Sequence, residues 1–144
     1  MEDKYYLPKI EEFCVGFEYE QHEIINERDP HWKMMVKKIG FSKKEINQIF
    51  YSVDLVENLD QKRIRVKYLD SSDIESFGFK FIKIGWTESS MIFRNNRACG
   101  YEIYFRDDYT LHISKSSGIT LFEGKIKNKS ELKKLLIQLE IINE

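Results

Sequence analysis

Glu18, Glu20 and His22 stand at alternate positions of the chain. Successive side chains of an extended segment point to opposite faces, so these three share one face. Two carboxylates and an imidazole are donors for a divalent cation, and a fourth ligand from another segment would complete such a site. The same pattern equally serves as the solvated face of an amphipathic strand. No CxxC, HExxH or calcium-loop pattern accompanies it, and the expectation for cofactors is none.

Arg63, Arg65 and Lys67 form a second alternating set, with Lys62 beside them. Such a basic stripe could engage the phosphates of a nucleotide-like ligand. Its alternative use is cross-strand pairing with Glu18 and Glu20, a common role for charges on neighbouring strands. Lys125, Lys127 and Lys129 surround the start of a helix predicted after Asn128, where unpaired amides favour anions. Tyr101, Tyr104, Tyr109 and Trp86 offer stacking surfaces, although aromatics at strand spacing also build cores. The candidate ligand-binding residues are therefore Arg63, Arg65, Lys67, Tyr104, Lys127 and Lys129. Glu18, Glu20 and His22 are the candidate metal ligands, and no residue is assigned a catalytic role.

Cys14 and Cys99 could act as nucleophiles beside His22, His31 or His112, but no signature surrounds either, and inert thiols are the simpler reading. His112, on the polar face of a predicted hairpin, could be a base with Asp107 or Asp108. No nucleophile elbow, SxxK pattern, phosphate loop or dinucleotide fingerprint is present.

The elements that must hold these residues follow from periodicity. A period of two predicts strands from Glu12 to His22, Lys62 to Leu69, Phe79 to Trp86 and Ile119 to Ile126, with a short one at Met91-Ile92-Phe93. Arg94 to Arg97 reads as a turn. Tyr101, Ile103 and Phe105 face Tyr109, Leu111 and Ile113 in a hairpin whose three-residue loop spans Arg106 to Asp108. That loop pairs Phe105 with Tyr109 and Ile103 with Leu111. Apolar spacings of three and four predict a short helix over Trp32 to Ile39, and a capping box at Ser42 predicts another from Lys43 to Ser52. Ser72 with Glu75 caps a helical turn closed by Gly78. Asn128 caps a last helix whose apolar stripe is Leu132, Leu135, Leu136 and Leu139. The fold class is α+β: a mainly antiparallel meander of about five strands, short helices, and a C-terminal amphipathic helix packed on the sheet. One domain over residues 1–144 is the expectation.

Composition narrows the function classes. With 42% hydrophobic and 33% charged residues the chain is of globular type. No apolar run approaches membrane-spanning length, and Met1-Glu2-Asp3-Lys4 lacks the basic-then-apolar pattern of a secretory signal, so a cytoplasmic protein without membrane contact is expected. Residues 1 to 30 carry nine acidic and three basic side chains, whereas the rest is net basic. Neither part is dense enough in charge to favour nucleic acid as a partner.

Three segments each resemble a segment of one known group: PKIEEFCVGFEYE from Pro8 to Glu20, RVKYLDSSDIESFGF from Arg65 to Phe79, and LFEGKIKNKSELKKLLIQL from Leu121 to Leu139. Together they are similar to small proteins encoded by phages and mobile elements of Bacteroides-type gut bacteria. Nothing between Gln21 and Gln61 belongs to the pattern. The resemblance implies a small accessory factor and carries over no functional residue. The leading expectation is a non-enzymatic binding protein that recognises a host or defence protein, or a nucleotide-like small anionic ligand, through an aromatic and basic surface. A structural, self-assembling virion component (a homo-oligomer) and a metal-assisted enzyme around Glu18, Glu20 and His22 are the alternatives.

Overall fold

Alternation of apolar and polar residues does build antiparallel sheet here, and it builds two of them. The computed structural model describes residues 4–13, 16–23, 31–36, 64–85, 90–95 and 100–143. Their contacts divide into two compact units, Met1–Tyr68 and Leu69–Glu144. Among the described residues no helix is long and apolar enough to cross a membrane.

The first unit holds a four-stranded sheet in the order β1 (Tyr5–Tyr6), β4 (Ile64–Lys67), β2 (Glu18–Glu23), β3 (His31–Val36), every pairing antiparallel. In β4 the expected alternation appears directly: Ile64 and Val66 are buried while Arg65 and Lys67 are half-buried. The strand predicted from Glu12 to His22 is confined to β2 at its C-terminal end. Ahead of it Ile10–Glu12 forms a 3-10 turn, because the Glu12 carboxylate accepts both the Lys9 amide, at 2.6 Å, and the Tyr6 hydroxyl, at 2.8 Å. Gly16, at φ +85°, turns the chain again, in a region that costs glycine little. The apolar set still converges: the Phe13 ring stands edge-on to Phe17 and Tyr19, with centroids 4.9 and 5.1 Å away. The helix predicted at Trp32 is overturned, since His31–Val36 is a strand pairing with β2 over six residue pairs. A short apolar pattern cannot by itself separate helix from strand, and sheet pairing decides it. The helix predicted from Lys43 to Ser52 lies outside the described residues.

The second unit is the expected α+β meander: β5 (Phe79–Ile84), β6 (Ser90–Asn95), β7 (Tyr101–Arg106), β8 (Thr110–Lys115) and β9 (Thr120–Lys125), adjacent in sequence order and antiparallel. Ser90–Asn95 extends the short strand expected at Met91-Ile92-Phe93 and absorbs Arg94 and Asn95, which the sequence assigns to a turn. The β7–β8 loop has the predicted length but is displaced by one residue. It runs from Asp107 to Tyr109, so Phe105 pairs with Leu111 and Ile103 with Ile113. Tyr109 takes the left-handed position of this loop, at φ 65°, its amide donating to the Arg106 carbonyl. The partner shift is two residues, which leaves every side chain on its predicted face.

Helix α1 (Ser71–Ser76) is capped by Asp70 rather than Ser72. The Asp70 carboxylate accepts the Asp73 amide at 3.0 Å while Asp73 accepts the Asp70 amide at 3.2 Å. Gly78, at φ +89°, returns the chain to β5. Helix α2 (Lys129–Gln138) begins at Asn128, whose side-chain oxygen accepts the Glu131 amide at 2.9 Å. Glu131 reaches back to the Lys127 amide, one residue before the cap. Leu132 and Leu136, four apart, are fully buried in a core with Phe93, Ile103, Leu111 and Ile113, so the helix packs on the sheet.

Asn128 is itself only 2% exposed, so removing its side chain strands an amide away from water. Asn128→Ala is expected to lower unfolding free energy by about 1–2 kcal/mol in urea denaturation, and Asn128→Asp by clearly less. Equal stability of all three chains would contradict this role for the cap.

Candidate functional site

Register places Arg65 of β4 directly across from Glu20 of β2, and the arginine Nε donates to the glutamate Oε2. Tyr5 of β1 pairs with Lys67, diagonal to Arg65, and Trp32 of β3 pairs with His22, diagonal to Glu20. All four therefore share one sheet face. The Arg65 guanidinium lies 3.8 Å from the Tyr5 ring centre and 4.1 Å from that of Trp32, held between two aromatic faces and a carboxylate. Aromatic quadrupoles and a charge-assisted bond both favour the cation in this position. The stripe and the acidic strand thus meet in the cross-strand pairing that their spacing allows. Glu20, a candidate metal ligand, is occupied by Arg65. The His22 ring stands edge-on to Trp32, with centroids 5.2 Å apart. Among the described residues no three His, Cys, Asp or Glu side chains converge on a point that could hold a metal ion. Arg63 and Cys14 lie outside the described residues.

In the second unit, Arg94, Glu102, Tyr104 and His112 lie across β6, β7 and β8 on the face opposite the core. The Arg94 guanidinium grips Glu102 Oε1, with Nε at 3.0 Å, and the Tyr104 hydroxyl donates to Glu102 Oε2 at 3.3 Å. Partial burial, reinforced by the Glu102 charge and hydrogen bond, raises the Tyr104 hydroxyl above its ordinary pKa of 10.0. His112 Nε2 meets the Thr120 hydroxyl at 3.0 Å, and its ring lies 5.6 Å from that of Tyr104. Asp108 instead accepts the Thr110 amide, at 3.0 Å, and this bond holds its carboxyl below the ordinary range. Lys129 approaches the Phe77 ring at 5.9 Å, and the Lys127 carbonyl accepts the Leu69 amide. Trp86 and Cys99 lie outside the described residues. Arg65 and Lys67 thus belong to the first unit, and Tyr104, Lys127 and Lys129 to the second.

A different feature escaped sequence reasoning. β5 is an edge strand, and every residue from Lys80 to Ile84 is exposed. Phe81, Ile82 and Ile84 are 46%, 45% and 60% exposed, so three of the six most exposed large apolar side chains among the described residues fall within four positions. A bulge between Phe81 and Lys83 resets the alternation. Lys80 and Lys83 then pair with Arg94 and Ile92 on the polar face, whereas Phe81 and Ile84 pair with Phe93 and Met91 on the core side. Beside the strand end, Lys83, Ile84, Gly85 and Ile92 line a depression of about 180 Å³. Gly85 lies close to Ser90 there: a Cβ would displace the Ser90 hydroxyl and stand 3.2 Å from Ser90 Cβ. The sequence signal is FKFIKI, apolar residues interrupted by lysines three apart, which fits neither a uniform strand nor a helix.

Comparison of this chain with protein-family models, with curated proteins and with solved structures finds no match.

The Arg65 and Glu20 side chains are 29% and 19% exposed, an intermediate setting for an ion pair. A double-mutant cycle with Arg65→Met and Glu20→Gln is expected to give a coupling energy of about 1 kcal/mol, reduced by high salt. Zero coupling would show that the aromatic faces alone hold the guanidinium. Tyr104 should ionise above pH 10.0 when its ring resonances are followed by NMR, and Glu102→Gln should bring the transition down. The raised value means that any stability tied to this proton is intact below the unfolded pKa and is lost as pH climbs through the folded one. An unchanged transition in Glu102→Gln would leave burial as the sole cause.

Proposed function

We propose that this chain is a non-enzymatic binding protein, an accessory factor of the phage or mobile-element kind that the sequence resemblance implies, and that it recognises a protein partner at the β5 corner of its second unit. One observation carries the reading: the apolar cluster Phe81, Ile82 and Ile84 on an edge strand. Single exposed apolar residues are ordinary on protein surfaces, whereas contiguous ones mark contact sites. The depression beside them, about 180 Å³, is smaller than the roughly 300–1,000 Å³ of small-molecule sites, and so favours an anchoring side chain over a nucleotide.

Magnitudes limit what the corner can do alone. Fully burying such a side chain contributes about 1.5–3 kcal/mol, and these three are already about half covered, so together they supply roughly 3 kcal/mol. Association costs about 4–15 kcal/mol in lost freedom. The partner therefore has to add polar contacts along the strand or a wider interface.

The test is native mass spectrometry of the chain purified gently from its own cell, beside the variant Phe81→Ser/Ile84→Ser. A partner protein is expected to travel with the parent chain and be lost from the variant. Both side chains are about half covered, and Phe81 packs on the Phe93 ring, so each substitution should cost about 1 kcal/mol of stability, and circular dichroism checks that the variant stays folded. A partner retained by a folded variant would move recognition elsewhere. A bound small molecule would point to ligand sequestration, and a ladder of the chain's own multiples to a structural assembly.

A further inference from the structure

We infer that the partner contributes an extended segment of alternating acidic and apolar residues, which adds to β5 as a sixth strand of the second unit's sheet. The inference rests on the binding-protein reading above and specifies the chemistry of what is bound. β5 has a neighbour on one side only, β6, so the other side presents an open row of backbone groups among the described residues. Edge strands of this kind pair with extended segments through main-chain hydrogen bonds, while side-chain positions on each face set specificity.

The two faces of β5 differ sharply in chemistry. The bulge puts Lys80 and Lys83 on the polar face and Phe81 and Ile84 on the core side. Without the bulge, strict alternation would place Phe81 and Lys83 on the same face. A sixth strand alternating carboxylate and apolar side chains would set its acids against the two lysines and its apolar residues beside Phe81 and Ile84. β5 contains no acidic residue to repel it. A basic strand would face like charges, and directly opposed like charges on neighbouring strands are destabilising.

A second copy of the chain fits less well. In a two-fold antiparallel pairing centred between Phe81 and Ile82, Lys80 of each copy stands directly opposite Lys83 of the other. Lysines and bulges on an edge are also the means by which proteins discourage their own sheets from joining. Here that guard is selective by charge: it repels a copy of itself and attracts an acidic strand.

The experiment follows backbone amide resonances of the full chain during titration with a capped seven-residue peptide alternating glutamate with valine. Its counterpart alternates lysine with valine, and a ten-residue thymidine oligonucleotide serves as a polyanion without strand-forming groups. The glutamate peptide is expected to shift residues 79–84 saturably, and to bind several-fold more weakly when salt is raised from 50 to 300 mM. The lysine peptide should shift them at least tenfold less effectively. In Lys80→Glu/Lys83→Glu, changed at two exposed positions and checked for an unaltered pattern of resonances in β7 and β8, the preference should reverse. Equal responses to both peptides, no response to either, a preference unchanged by the charge swap, or an oligonucleotide response as strong as the peptide's would each overturn the inference. So would dimerisation through β5 in sedimentation velocity. A co-purified partner that depends on Phe81 and Ile84 would still uphold the binding-protein reading after such a failure, whereas loss of both would end the two together.

Discussion

Burial of one face of the five-stranded sheet by α2 is the constraint on which the second unit depends. Ile103, Leu111, Ile113 and Phe93 point to that face and are completely buried together with Leu132 and Leu136. Because side chains alternate along a strand, committing these residues to the core forces Arg94, Glu102, Tyr104 and His112 to the other side. The helix is aimed by its start: Asn128 fixes the first turn, and the adjacent Lys127 carbonyl accepts the Leu69 amide, tying the entry of the unit to the entry of the helix. Apolar coverage reaches Phe79 at the start of β5 and goes no farther, so that Phe81 and Ile84 remain on the core side and yet exposed.

What was legible in the sequence was whatever a short window contains. The alternation in Ile64–Lys67, the strands β7, β8 and β9, and the leucine stripe of α2 each announce themselves within one element, and the structure agrees with them. The misses need information from farther away. Trp32 to Val36 carries spacing that suits a helix, but six pairs with β2 make it a strand. Asp70 outcompetes Ser72 as a cap because a carboxylate accepting two local bonds is the stronger acceptor, and Ser72 itself donates to it. The hairpin loop slips by one residue because Tyr109 tolerates a left-handed backbone that glycine would ordinarily occupy.

The candidate site was legible in the same uneven way. Arg65 and Glu20 were recognisable as residues that could meet, yet the aromatic sandwich from Tyr5 and Trp32 depends on the strand order β1-β4-β2-β3, which no local pattern encodes. The result is a self-satisfied cation: its charge is matched by Glu20 and its faces are covered. The polar face of the second unit is wired similarly, through Arg94, Glu102 and Tyr104. Arg65 and Arg94 are each matched by a carboxylate of their own sheet, whereas β5 presents lysines and apolar groups along an open edge. That contrast is the basis for assigning recognition to β5, and it depends on a bulge that only the strand pairing reveals.

The most direct test of recognition at β5 is amide hydrogen exchange on the free chain and on its complex with the partner it carries from the cell. The account predicts that residues 80–84 exchange rapidly when free and become strongly protected in the complex, while β7 and β8, already buried in the sheet, change little. A stable complex in which those amides still exchange at the free rate, with new protection elsewhere, would contradict it.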